Sequence, residues 1–373
     1  MHLQLTIVSF NLICFNMTKF HSLRVLDIKK ETKDCSVISF EVPADLQSEF
    51  KFKQGQHLTL RATIDGKEVR RSYSLCSSPI ENQWKVAVKK ISGGVFSSFV
   101  NDSLKKGQAI DVMAPNGVFY RDIQPEKAKN YIAFAAGSGI TPILSIIKTH
   151  LALEPNCTFK LFYLNRSVKS IIFKEEIELL KNRYFDRFEI FHFLTKEHRS
   201  VELFNGRFTS EKLKVLTDKI IDVSEVSDCF ICGPEDMIFL IRDELVSAGL
   251  AKDHIHYELF TSGNTEADKK RIDKILEHKV SGTEVTIIDG GKEFHFTMGE
   301  DFDNILDGAL AAGADLPYAC KGGVCSTCRC KVVEGSVEMK LNYAIDEEDV
   351  KKNFILSCQA VPTSAKIVVD FDA

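Results

Sequence analysis

The sequence predicts a multidomain chain: an antiparallel β-barrel, then a doubly wound α/β domain with a parallel sheet, then a small α+β domain. A length of 373 residues suggests roughly two or three domains. Short strands and turns fill the first third, strands alternate with helices through the middle, and a cysteine-rich segment ends the chain. We expect domains at residues 17–125, 126–260 and 281–373, with a linker at 261–280.

The charge of the chain is small overall but unevenly distributed. With 44% hydrophobic and 27% charged residues, the composition is that of an ordinary globular protein. Residues 281–373 contain 16 acidic and 8 basic residues, net −8, which leaves net +4 for the rest. No basic stripe interleaved with aromatic residues stands out, so we expect no nucleic-acid partner. No run of 18 apolar residues occurs, so we expect no membrane span.

The first sixteen residues do not resemble an export signal. Residues 1–16 are apolar, but they contain no Lys or Arg and no small-residue cleavage site. Met17 opens a stretch suited to a first strand, so we expect residues 1–16 to be a non-native or disordered extension from a misplaced start codon. Six cysteines lie scattered outside the C-terminal segment, as expected in the reducing cytoplasm, where we place the protein.

The first domain is rich in short strands. Six segments separated by turn signals are "RVLDIKKET", "CSVISFEVP", "HLTLRATIDG", "VRRSYSLCSS", "WKVAVKKIS" and "IDVMAPNG". Such a series is typical of a small antiparallel barrel.

One strand of this barrel carries a group of side chains suited to a cofactor. In "RRSYSLCSSP", Arg71 suits a pyrophosphate, Tyr73 can stack on a flat ring, and Ser74 can hydrogen-bond to the edge of the ring. Downstream, "SGGVFSSFV" supplies glycines and a helix start at Ser97 or Ser98 for a second phosphate contact. Alone, either segment also fits an ordinary strand edge.

The middle of the chain opens with a strand, a glycine-rich turn and a helix in "NYIAFAAGSGITPILSIIK". Thr141 is the expected N-cap of that helix, and Pro142 lies in its first turn. Gly137 and Gly139 allow close backbone approach, and the helix N-terminus attracts a pyrophosphate. A Gly-x-Gly turn by itself also fits any tight strand-to-helix connection.

Further strands and helices alternate after this turn. They are "TFKLFYLNRS", "FKEEIELLKNRY", "RFEIFHFLT", "SDCFICGPEDMIFLIRDELVSAGL" and "HIHYELF". The alternation predicts a parallel, doubly wound sheet whose ligand lies at the carboxyl ends of the strands.

Four cysteines near the C-terminus have the spacing of an iron–sulfur site. Cys320, Cys325 and Cys328 are separated by four and two residues, and Cys358 follows after a further 29 residues. This is the plant-type [2Fe-2S] ligand spacing, in which three thiolates come from one tight loop and the fourth from a returning segment. The competing zinc site prefers paired short spacings, and a disulfide framework belongs to oxidising compartments.

The residues around that loop predict a compact domain. "TEVTIID" and "KEFHFTM" flank the turn "DGGK", "FDNILDGALAAG" has helical spacing, and "KIVVDFDA" closes the chain as a strand. Gly322 and Gly323 allow the backbone to come close to a cluster. Cys330 is a surplus thiol that we expect to be a small buried residue. The order resembles the plant-type ferredoxin fold, a β-grasp.

Taken together, the motifs resemble the ferredoxin–NADP reductase superfamily with a C-terminal ferredoxin module. Arg71-x-Tyr73-Ser74, residues 94–97, "GSGITP" and "CGP" carry the resemblance, which covers residues 18–373. Within the superfamily, the domain order resembles the oxygenase-reductase group that includes the reductase subunit of phenylacetyl-CoA epoxidase.

The resemblance implies a set of cofactor contacts. FAD would be bound by Arg71, Tyr73, Ser74, Gly94, Val95 and Ser97. The nicotinamide nucleotide would meet Gly139, Cys232, Gly233 and Pro234, with Gly137 and Pro142 as further cofactor contacts. The expected catalytic residues are Ser74, Thr141, which would lie near the flavin ring, and Cys232. The reductase part is not the end of the chain, so there is no terminal aromatic residue to cover the flavin ring. Phe260 either takes that place or is an ordinary core residue.

The predicted function is electron transfer from NADPH through FAD and the cluster. A nicotinamide delivers two electrons as hydride, a [2Fe-2S] cluster accepts one, and a flavin does both. The chain has no pair of Glu-x-x-His motifs, so we expect a separate oxygenase, of the phenylacetyl-CoA epoxidase type, as the recipient. The alternatives are a reductase of a ring-hydroxylating or other hydrocarbon oxygenase, a redox-sensing regulatory protein, and a binding module that has lost its cofactors.

The segment "YLNRSVKS" is where the adenosine ribose of the coenzyme is expected. It offers Arg166 and Lys169 and no Asp or Glu to bind a free 2′-hydroxyl group. An arginine suits a 2′-phosphate, so NADPH is the expected coenzyme and NADH the alternative. The other interpretation of Arg166 is a solvated loop arginine.

The segment "TSGNTEADKKRIDK", residues 261–274, has the polar composition of a flexible tether. The acidic C-terminal module, to which an oxidised cluster adds about two negative charges, would be attracted to basic surfaces. We expect it to dock in turn on the rest of the chain and on the oxygenase. Acidic residues such as Asp346 to Asp349 also fit a merely solvated face.

Overall fold

The computed structural model describes residues 19–260 and 266–373, which form three domains in sequence order. The predicted fold class is confirmed: an antiparallel sheet, a parallel sheet with helices, and a small mixed sheet follow one another. The expected extension at residues 1–16 lies outside the described residues, and the domain boundaries stay predictions. In the described part of the chain, no helix combines the length and the apolar character that crossing a membrane requires.

The first domain is a six-stranded antiparallel sheet that closes on itself. Its strands are β1 Phe20–Thr32, β2 Cys35–Glu41, β3 His57–Ile64, β4 Lys67–Ser74, β5 Trp84–Lys89 and β6 Ala109–Met113. They lie in the order β4-β3-β6-β1-β2-β5. A bridge between Leu75 and Val86 joins the two end strands, so the sheet is the predicted barrel.

The barrel interior is filled by alternate side chains of its strands. Leu23 and Val25 of β1 are fully buried, as the two-residue period of a strand requires. Helix α1, Val95–Asp102, packs on β5 and adds Phe96 and Val100 to the same core. The helix thereby fixes one wall of a cavity described below.

The second domain is a parallel five-stranded sheet. Its strands are β7 Lys129–Ala136, β8 Cys157–Asn165, β9 Phe188–Leu194, β10 Asp228–Gly233 and β11 Ile255–Leu259. Its helices are α2 Ile140–Leu153, α3 Lys174–Arg183, α4 Ser210–Lys219 and α5 Glu235–Ser247. The strand order is β11-β10-β7-β8-β9, so the direction of winding reverses between β7 and β10. Ligands of open α/β sheets bind beside such a reversal.

Two hydrophobic cores cover the two faces of this sheet. Helices α2 and α3 contribute Ile143 and Ile177 to one core, and helices α4 and α5 contribute Leu213 and Ile241 to the other. Helix α4 was not among the predicted elements. Its only buried residues are Leu213 and Leu216, which is too short an apolar stripe to stand out among its charged neighbours.

A helix occupies part of the expected linker. Helix α6 spans Glu266–Leu276, where the sequence predicted a flexible tether over residues 261–274; residues 261–265 lie outside the described residues. Ile275 and Asp268 are buried. The tether prediction is therefore wrong for residues 266–274, because this segment is held in a helix by buried contacts. Its polar composition does not reveal these contacts.

The third domain is a small mixed sheet. Its strands are β12 Glu284–Asp289, β13 Lys292–Thr297, β14 Arg329–Glu334, β15 Val337–Met339, β16 Phe354–Leu356, β17 Ala360–Pro362 and β18 Lys366–Asp370. Strands β13-β12-β18-β14-β16 form one sheet, and β15 pairs with β17. Its helices are α7 Ile305–Ala311 and α8 Glu347–Lys351. The loop that carries Cys320, Cys325 and Cys328, here called the cluster loop, connects α7 to β14.

The three domains pack against one another. Gln54 of the barrel lies 3.4 Å from His150 near the end of helix α2, so the barrel contacts the second domain. Val324 and Tyr343 of the third domain pack on the core of the second. Arg70 of the barrel donates a hydrogen bond to the third domain. Two of the predicted FAD residues, Arg71 and Ser74, lie where the three domains meet.

Candidate functional site

A cavity of about 510 Å³ lies between the barrel and the second domain. Seven residues that the sequence predicted line it together: Arg71, Tyr73, Ser74, Gly94, Val95, Ser97 and Thr141. The barrel supplies six of them from β4 and the start of α1, and the second domain supplies Thr141 from α2. Sequence motifs that lie far apart in the chain thus form one site.

The wall of this cavity is positively charged. Arg71 and Lys89 line it, and no Asp or Glu is among its described lining residues. The guanidinium of Arg71 donates to the backbone carbonyl of Arg70 at 2.7 Å, which holds it at the cavity wall. Such a wall fits the pyrophosphate of FAD, because a guanidinium binds phosphate oxygens in a planar, bidentate manner.

Three aromatic rings, those of Tyr73, Phe96 and Phe260, lie at this cavity. Tyr73 packs against Phe96 with ring centroids 5.8 Å apart. Burial raises the pKa of the Tyr73 phenol above its ordinary value, so the ring stays neutral. Phe260 is 40% exposed and lines the same cavity, so the interpretation of Phe260 as an ordinary core residue is wrong. Flat aromatic faces suit the flat ring of a flavin.

Helix α1 begins at the cavity, although earlier than predicted. Val95 is its first residue and Gly94 its N-cap, so the expected start at Ser97 or Ser98 is wrong. The Ser97 hydroxyl donates to the carbonyl of Gly94 at 3.2 Å. A Cβ at Gly94 would lie 2.4 Å from the Ser97 hydroxyl and from Ile91, so this turn requires glycine. Among the described residues, no side chain caps this helix start, which lines the cavity, so its first backbone N–H groups are suited to bind a phosphate.

The glycine turn of the second domain brings two strand ends into contact. Helix α2 begins at Ile140 with Gly139 as N-cap, so the predicted capping by Thr141 is wrong. Thr141 instead donates to the carbonyl of Ser138 at 3.0 Å within the first turn. A Cβ at Gly139 would lie 2.1 Å from the carbonyl oxygen of Cys232, so only glycine lets the ends of β7 and β10 approach.

The remaining predicted nucleotide residues do not line the 510 Å³ cavity. They are Gly137, Gly139, Pro142, Arg166, Cys232, Gly233 and Pro234. Cys232 is fully buried, and its burial raises the pKa of its thiol well above the ordinary value. The thiol is therefore a neutral core group in this structure. The close packing at Gly139 brings the glycine turn against the end of β10 at the sheet reversal, which is where ligands of open α/β sheets bind.

Glu258 is a site residue that sequence reasoning missed. The hydroxyl of Ser74 donates to its Oε2 at 2.9 Å, so this hydrogen bond joins the barrel to β11 of the second domain. Burial raises the pKa of the Glu258 carboxyl to about 8. In the sequence, Glu258 is one acidic residue in "HYELF" and nothing in its spacing marks it, because its partner lies 184 positions away.

A smaller cavity of about 80 Å³ connects this site to the cluster loop. Its lining includes Arg71 and Ser74 from the barrel, Glu258 from the second domain, and Cys320 and Cys325 from the third. Residues of the FAD motif and two predicted cluster ligands therefore face one small space. No such proximity follows from their positions in the chain.

His57 lines the same small cavity and was also missed. It pairs with Ser74 across strands β3 and β4, and only 3% of its surface is exposed. Its Nε2 has no hydrogen-bond partner among the described residues. Burial lowers the pKa of His57 to about 4, so the imidazole is neutral at physiological pH.

The four predicted ligand cysteines form two pairs. The thiol of Cys320 lies close enough to that of Cys325, and the thiol of Cys328 to that of Cys358, for each to shift the pKa of its partner. Within residues 19–260 and 266–373, no three His, Cys, Asp or Glu side chains are arranged to hold a single metal ion. Two thiol pairs instead fit a [2Fe-2S] cluster, in which four thiolates are shared between two irons.

The loop around these cysteines offers hydrogen bonds to sulfur. The backbone N–H of Gly322 donates to Cys320 Sγ at 3.3 Å, and the side-chain amide of Gln359 donates to Cys358 Sγ at 3.5 Å. Such bonds stabilise thiolates that ligate a cluster. Cys330 is buried in the core of the third domain, in agreement with its expected role as a small apolar residue.

The loop after β8 differs from its prediction in one respect. Arg166 is exposed there, but Glu197 from the end of β9 reaches the same place and accepts a hydrogen bond from the backbone N–H of Val168 at 2.7 Å. The two loops are joined by a bond from the N–H of Lys196 to the carbonyl of Arg166 at 2.8 Å. The segment itself lacks an acidic residue, but the fold brings one to it.

Three family models match the chain, one in each domain. The oxidoreductase FAD-binding domain matches residues 22–120, the oxidoreductase NAD-binding domain matches residues 134–243, and the 2Fe-2S iron-sulfur cluster binding domain matches residues 287–363. Each match falls on the domain that holds the corresponding predicted motif.

Similarity to known proteins extends over nearly the whole chain. The chain is 41% identical over 357 residues to one component, designated E, of the 1,2-phenylacetyl-CoA epoxidase of Escherichia coli, which covers 96% of this chain and 99% of that protein. It is 34% identical to the ferredoxin reductase component of 3-ketosteroid-9-alpha-monooxygenase of Rhodococcus rhodochrous, covering 94% and 96%. Phthalate dioxygenase reductase shares its fold, with a TM-score of 0.56, 24% identity, and coverage of 94% and 98%.

Proposed function

Because this chain belongs to the family of reductase components of oxygenases that have FAD-binding, NAD-binding and [2Fe-2S]-binding domains, we propose that it takes electrons from NADPH and delivers them singly to a separate oxygenase. The chain is an NAD(P)H-dependent oxidoreductase. FAD, when bound, accepts two electrons together and releases them one at a time, as a one-electron cluster requires.

One observation carries the proposal. The 80 Å³ cavity is lined by Arg71 and Ser74 of the FAD motif and by Cys320 and Cys325 of the cluster loop. An electron can pass between two cofactors only when the protein holds them close together. The shared cavity supports direct transfer within one chain rather than through a mobile carrier.

The residues of the site have separable roles in this proposal. Arg71 and the N-terminus of α1 bind the pyrophosphate of FAD, because they supply positive charge and free N–H groups. Tyr73 and Phe260 enclose the flat ring and exclude water from it. Ser74, with its hydroxyl directed to Glu258, positions a hydrogen-bonding group at the edge of the ring. Thr141 approaches from the second domain, where the nicotinamide nucleotide binds.

The partner that we propose is an oxygenase of the phenylacetyl-CoA epoxidase type. The 41% identity to the epoxidase component covers nearly all of both chains and exceeds the 34% and 30% identities to the reductases of the 3-ketosteroid and glycine betaine monooxygenases. Those reductases support the alternative that the recipient is another oxygenase. All ten described cysteines are free thiols, which supports a cytoplasmic location.

Two other functions are weaker alternatives. A redox-sensing regulatory protein needs the cluster but has no use for an NAD-binding domain and a flavin cavity joined to it. A binding module without cofactors has no use for four cysteines arranged as two thiol pairs. Rapid, steady NADPH oxidation with ferricyanide would exclude the first alternative, and a visible spectrum with flavin and iron–sulfur bands would exclude the second.

The coenzyme proposal is NADPH, and it depends on Arg166. An exposed arginine beside the adenosine ribose suits a 2′-phosphate, whereas Glu197 nearby suits a free 2′-hydroxyl and favours the alternative, NADH. Arg166→Ala should raise the KM for NADPH and leave that for NADH nearly unchanged. Glu197→Gln is the matched variant, and it should weaken the binding of NADH more than that of NADPH. Equal effects of Arg166→Ala on both coenzymes would contradict the NADPH assignment.

The decisive experiment is reconstitution with candidate oxygenases. The purified protein should couple NADPH oxidation to oxidation of phenylacetyl-CoA when the oxygenase components of the epoxidase are added. The reductase component of the epoxidase serves as the positive control. Coupling only with a ring-hydroxylating or steroid oxygenase would assign the chain to that partner, and reduction of ferricyanide without any coupling would contradict the oxygenase assignment.

A further inference from the structure

Arg70 is a buried arginine at the boundary between the barrel and the third domain. It lies on β4 directly before Arg71, which lines the 510 Å³ flavin cavity, and only 7% of its surface is exposed. An arginine is rarely buried without partners, because removal of its charge from water is costly. The partners of Arg70 come from both domains.

On the side of the third domain, Arg70 contacts the segment just before the first cluster cysteine. Its Nη1 donates to the carbonyl oxygen of Leu316 at 3.1 Å, and its guanidinium lies 4.2 Å from the ring centroid of Tyr318. The ion pair with Asp315, at 3.5 Å, contributes little because that carboxylate is exposed. The hydrogen bond and the ring contact, four and two residues before Cys320, therefore hold this boundary.

On the side of the barrel, the geometry of Arg70 is fixed. Its Nε donates to the carboxylate of Glu68 at 2.8 Å, and its guanidinium lies 5.0 Å from the ring centroid of Phe20. Its backbone carbonyl accepts the bond from the Arg71 guanidinium. Arg70 thus connects the arginine of the flavin cavity to the cluster loop through consecutive hydrogen bonds.

The third domain also contacts its other neighbour, the second domain. The hydroxyl of Tyr343 donates to Asp268 at 3.0 Å and lies 3.4 Å from the Glu235 carboxyl, and its ring centroid lies 6.1 Å from that of Phe239. This contact attaches the domain to α5 and α6 but not to the barrel. Arg70 supplies the contact on the barrel, which is where the flavin motif lies.

We propose that Arg70 is a positioning residue for internal electron transfer, which docks the third domain on the barrel so that the cluster loop lies against the flavin cavity. The proposal rests on the proposed function. In the step that Arg70 serves, one electron leaves the reduced flavin cofactor and enters the oxidised cluster, and no covalent bond forms or breaks. Arg70 keeps its charge and its protons throughout, and it acts through the domain that it holds.

The test compares Arg70→Ala with a matched control, Arg61→Ala. Arg61 lies on β3 and stacks on the same Phe20 ring at 3.9 Å, and it pairs with the same Glu68 and with Asp111, so its partners all belong to the barrel. Both full-length variants are first checked for the visible bands of flavin and cluster and for their melting temperature. Arg70→Lys keeps the charge but loses the planar fork, so an intermediate effect is expected.

The kinetic measurement is anaerobic stopped-flow reduction by NADPH or NADH, followed at flavin and cluster wavelengths. A hydrogen bond from a charged group shifts an equilibrium by about tenfold or more. In Arg70→Ala, flavin reduction should keep its rate, and cluster reduction should slow by about tenfold. The Arg61→Ala variant should match the wild type in both phases. Equal rates of cluster reduction in Arg70→Ala and the wild type would overturn the proposal. Equal slowing of cluster reduction in Arg70→Ala and Arg61→Ala would overturn it as well.

A second measurement does not depend on activity. Hydrogen–deuterium exchange of the full chain should be faster at backbone amides of residues 312–320 in Arg70→Ala, because the released segment faces water. It should be unchanged there in Arg61→Ala. If the wild-type cluster accepts no electrons, the proposed function fails, but the exchange measurement still decides the docking. Unchanged exchange in Arg70→Ala would overturn the docking role of Arg70.

Discussion

Cys320, Cys325, Cys328 and Cys358 differ from Cys330 in what surrounds them. The four interact as two pairs of thiols, and Cys320 and Cys358 also accept hydrogen bonds from Gly322 and Gln359, whereas the thiol of Cys330 is affected chiefly by its burial. The five thiols of the third domain therefore divide into two interacting pairs and one buried residue outside these pairs. This difference gives a prediction at the scale of single residues.

Replacement of any of the four paired cysteines by Ser should remove the visible absorbance of the iron–sulfur cluster. Electron delivery to an oxygenase should be lost, while NADPH-driven ferricyanide reduction through the flavin persists. Cys330→Ser is the matched control: it should keep the cluster and lose about 1–3 kcal/mol of stability, because a hydroxyl replaces a buried thiol. Loss of the cluster in Cys330→Ser with its retention in Cys325→Ser would contradict the ligand assignment.

Ser74 and Glu258 form a second residue-scale unit, which spans two domains. Ser74→Ala should lower the free energy of unfolding by about 1–3 kcal/mol, because it leaves a buried carboxyl group without its hydrogen-bond donor. Above about pH 8, where Glu258 is ionised, Ser74→Ala in a Glu258→Gln background should cost less stability, since a neutral amide tolerates the loss of the donor better than a carboxylate does. Thermal unfolding of the two single variants and the double variant gives the coupling energy, for which we expect about 0.5–3 kcal/mol. Additive effects would show that the bond does not join the domains.

At the scale of elements, the end of helix α2 holds a buried polar group. Glu154 accepts hydrogen bonds from the hydroxyl of Tyr131 at 2.9 Å and from the backbone N–H of Gln124 at 2.6 Å, and it lies 2.9 Å from Nδ1 of His150. Burial alone would raise the pKa of this carboxyl, but the hydrogen bonds from His150, Gln124 and Tyr131 hold it below its ordinary value. The carboxylate therefore anchors the segment that leads from the barrel into the second domain.

The lowered pKa of Glu154 predicts how stability depends on pH. A carboxyl with a folded-state pKa below its unfolded value stabilises the fold fully above about pH 4.3, and this contribution is lost as the pH falls through the folded-state pKa. Glu154→Gln should therefore lower the stability at pH 7 by about 2 kcal/mol, and the difference should shrink in acid. Urea unfolding between pH 3 and pH 7 measures this. Glu178→Gln, which removes an exposed ion pair with Lys174, should change stability by at most about 0.5 kcal/mol at any pH.

At the scale of the whole molecule, the charge distribution separates the acidic third domain from the rest. Residues 281–373 carry net −8 and the remainder carries net +4. The internal docking depends on the buried contact of Arg70 and the partly buried contact of Tyr343, which salt screens little. An exposed acidic surface, in contrast, attracts an external basic partner over a distance set by ionic strength.

Electron transfer to the oxygenase should therefore slow steeply between low and physiological salt, while NADPH oxidation with small acceptors changes little. A chain truncated after Phe260 should keep the second activity and lose the first. Initial rates across a sodium chloride series measure both. Salt-independent oxygenase turnover, or turnover supported by the truncated chain, would contradict the role of the acidic third domain in delivering electrons.

The sequence by itself determined what is encoded locally. Strand and helix periods predicted the three folds, and the spacing of Cys320, Cys325 and Cys328 predicted the cluster loop. The Arg71, Tyr73 and Ser74 stretch belongs to one strand, so its side chains share a site whatever surrounds them. Each of these features depends on residues within one element or one loop, where backbone geometry alone fixes the distances.

Only the tertiary structure decided what depends on distant parts of the chain. Glu258 meets Ser74, Glu197 reaches the loop of Arg166, and Arg70 reaches the cluster loop across domain boundaries. Residues 266–276 form helix α6 because burial of Ile275 outweighs a polar composition. Such contacts have no local signal, since they arise when separate folded units pack and exclude water between them, and the coupling of the two redox sites depends on them.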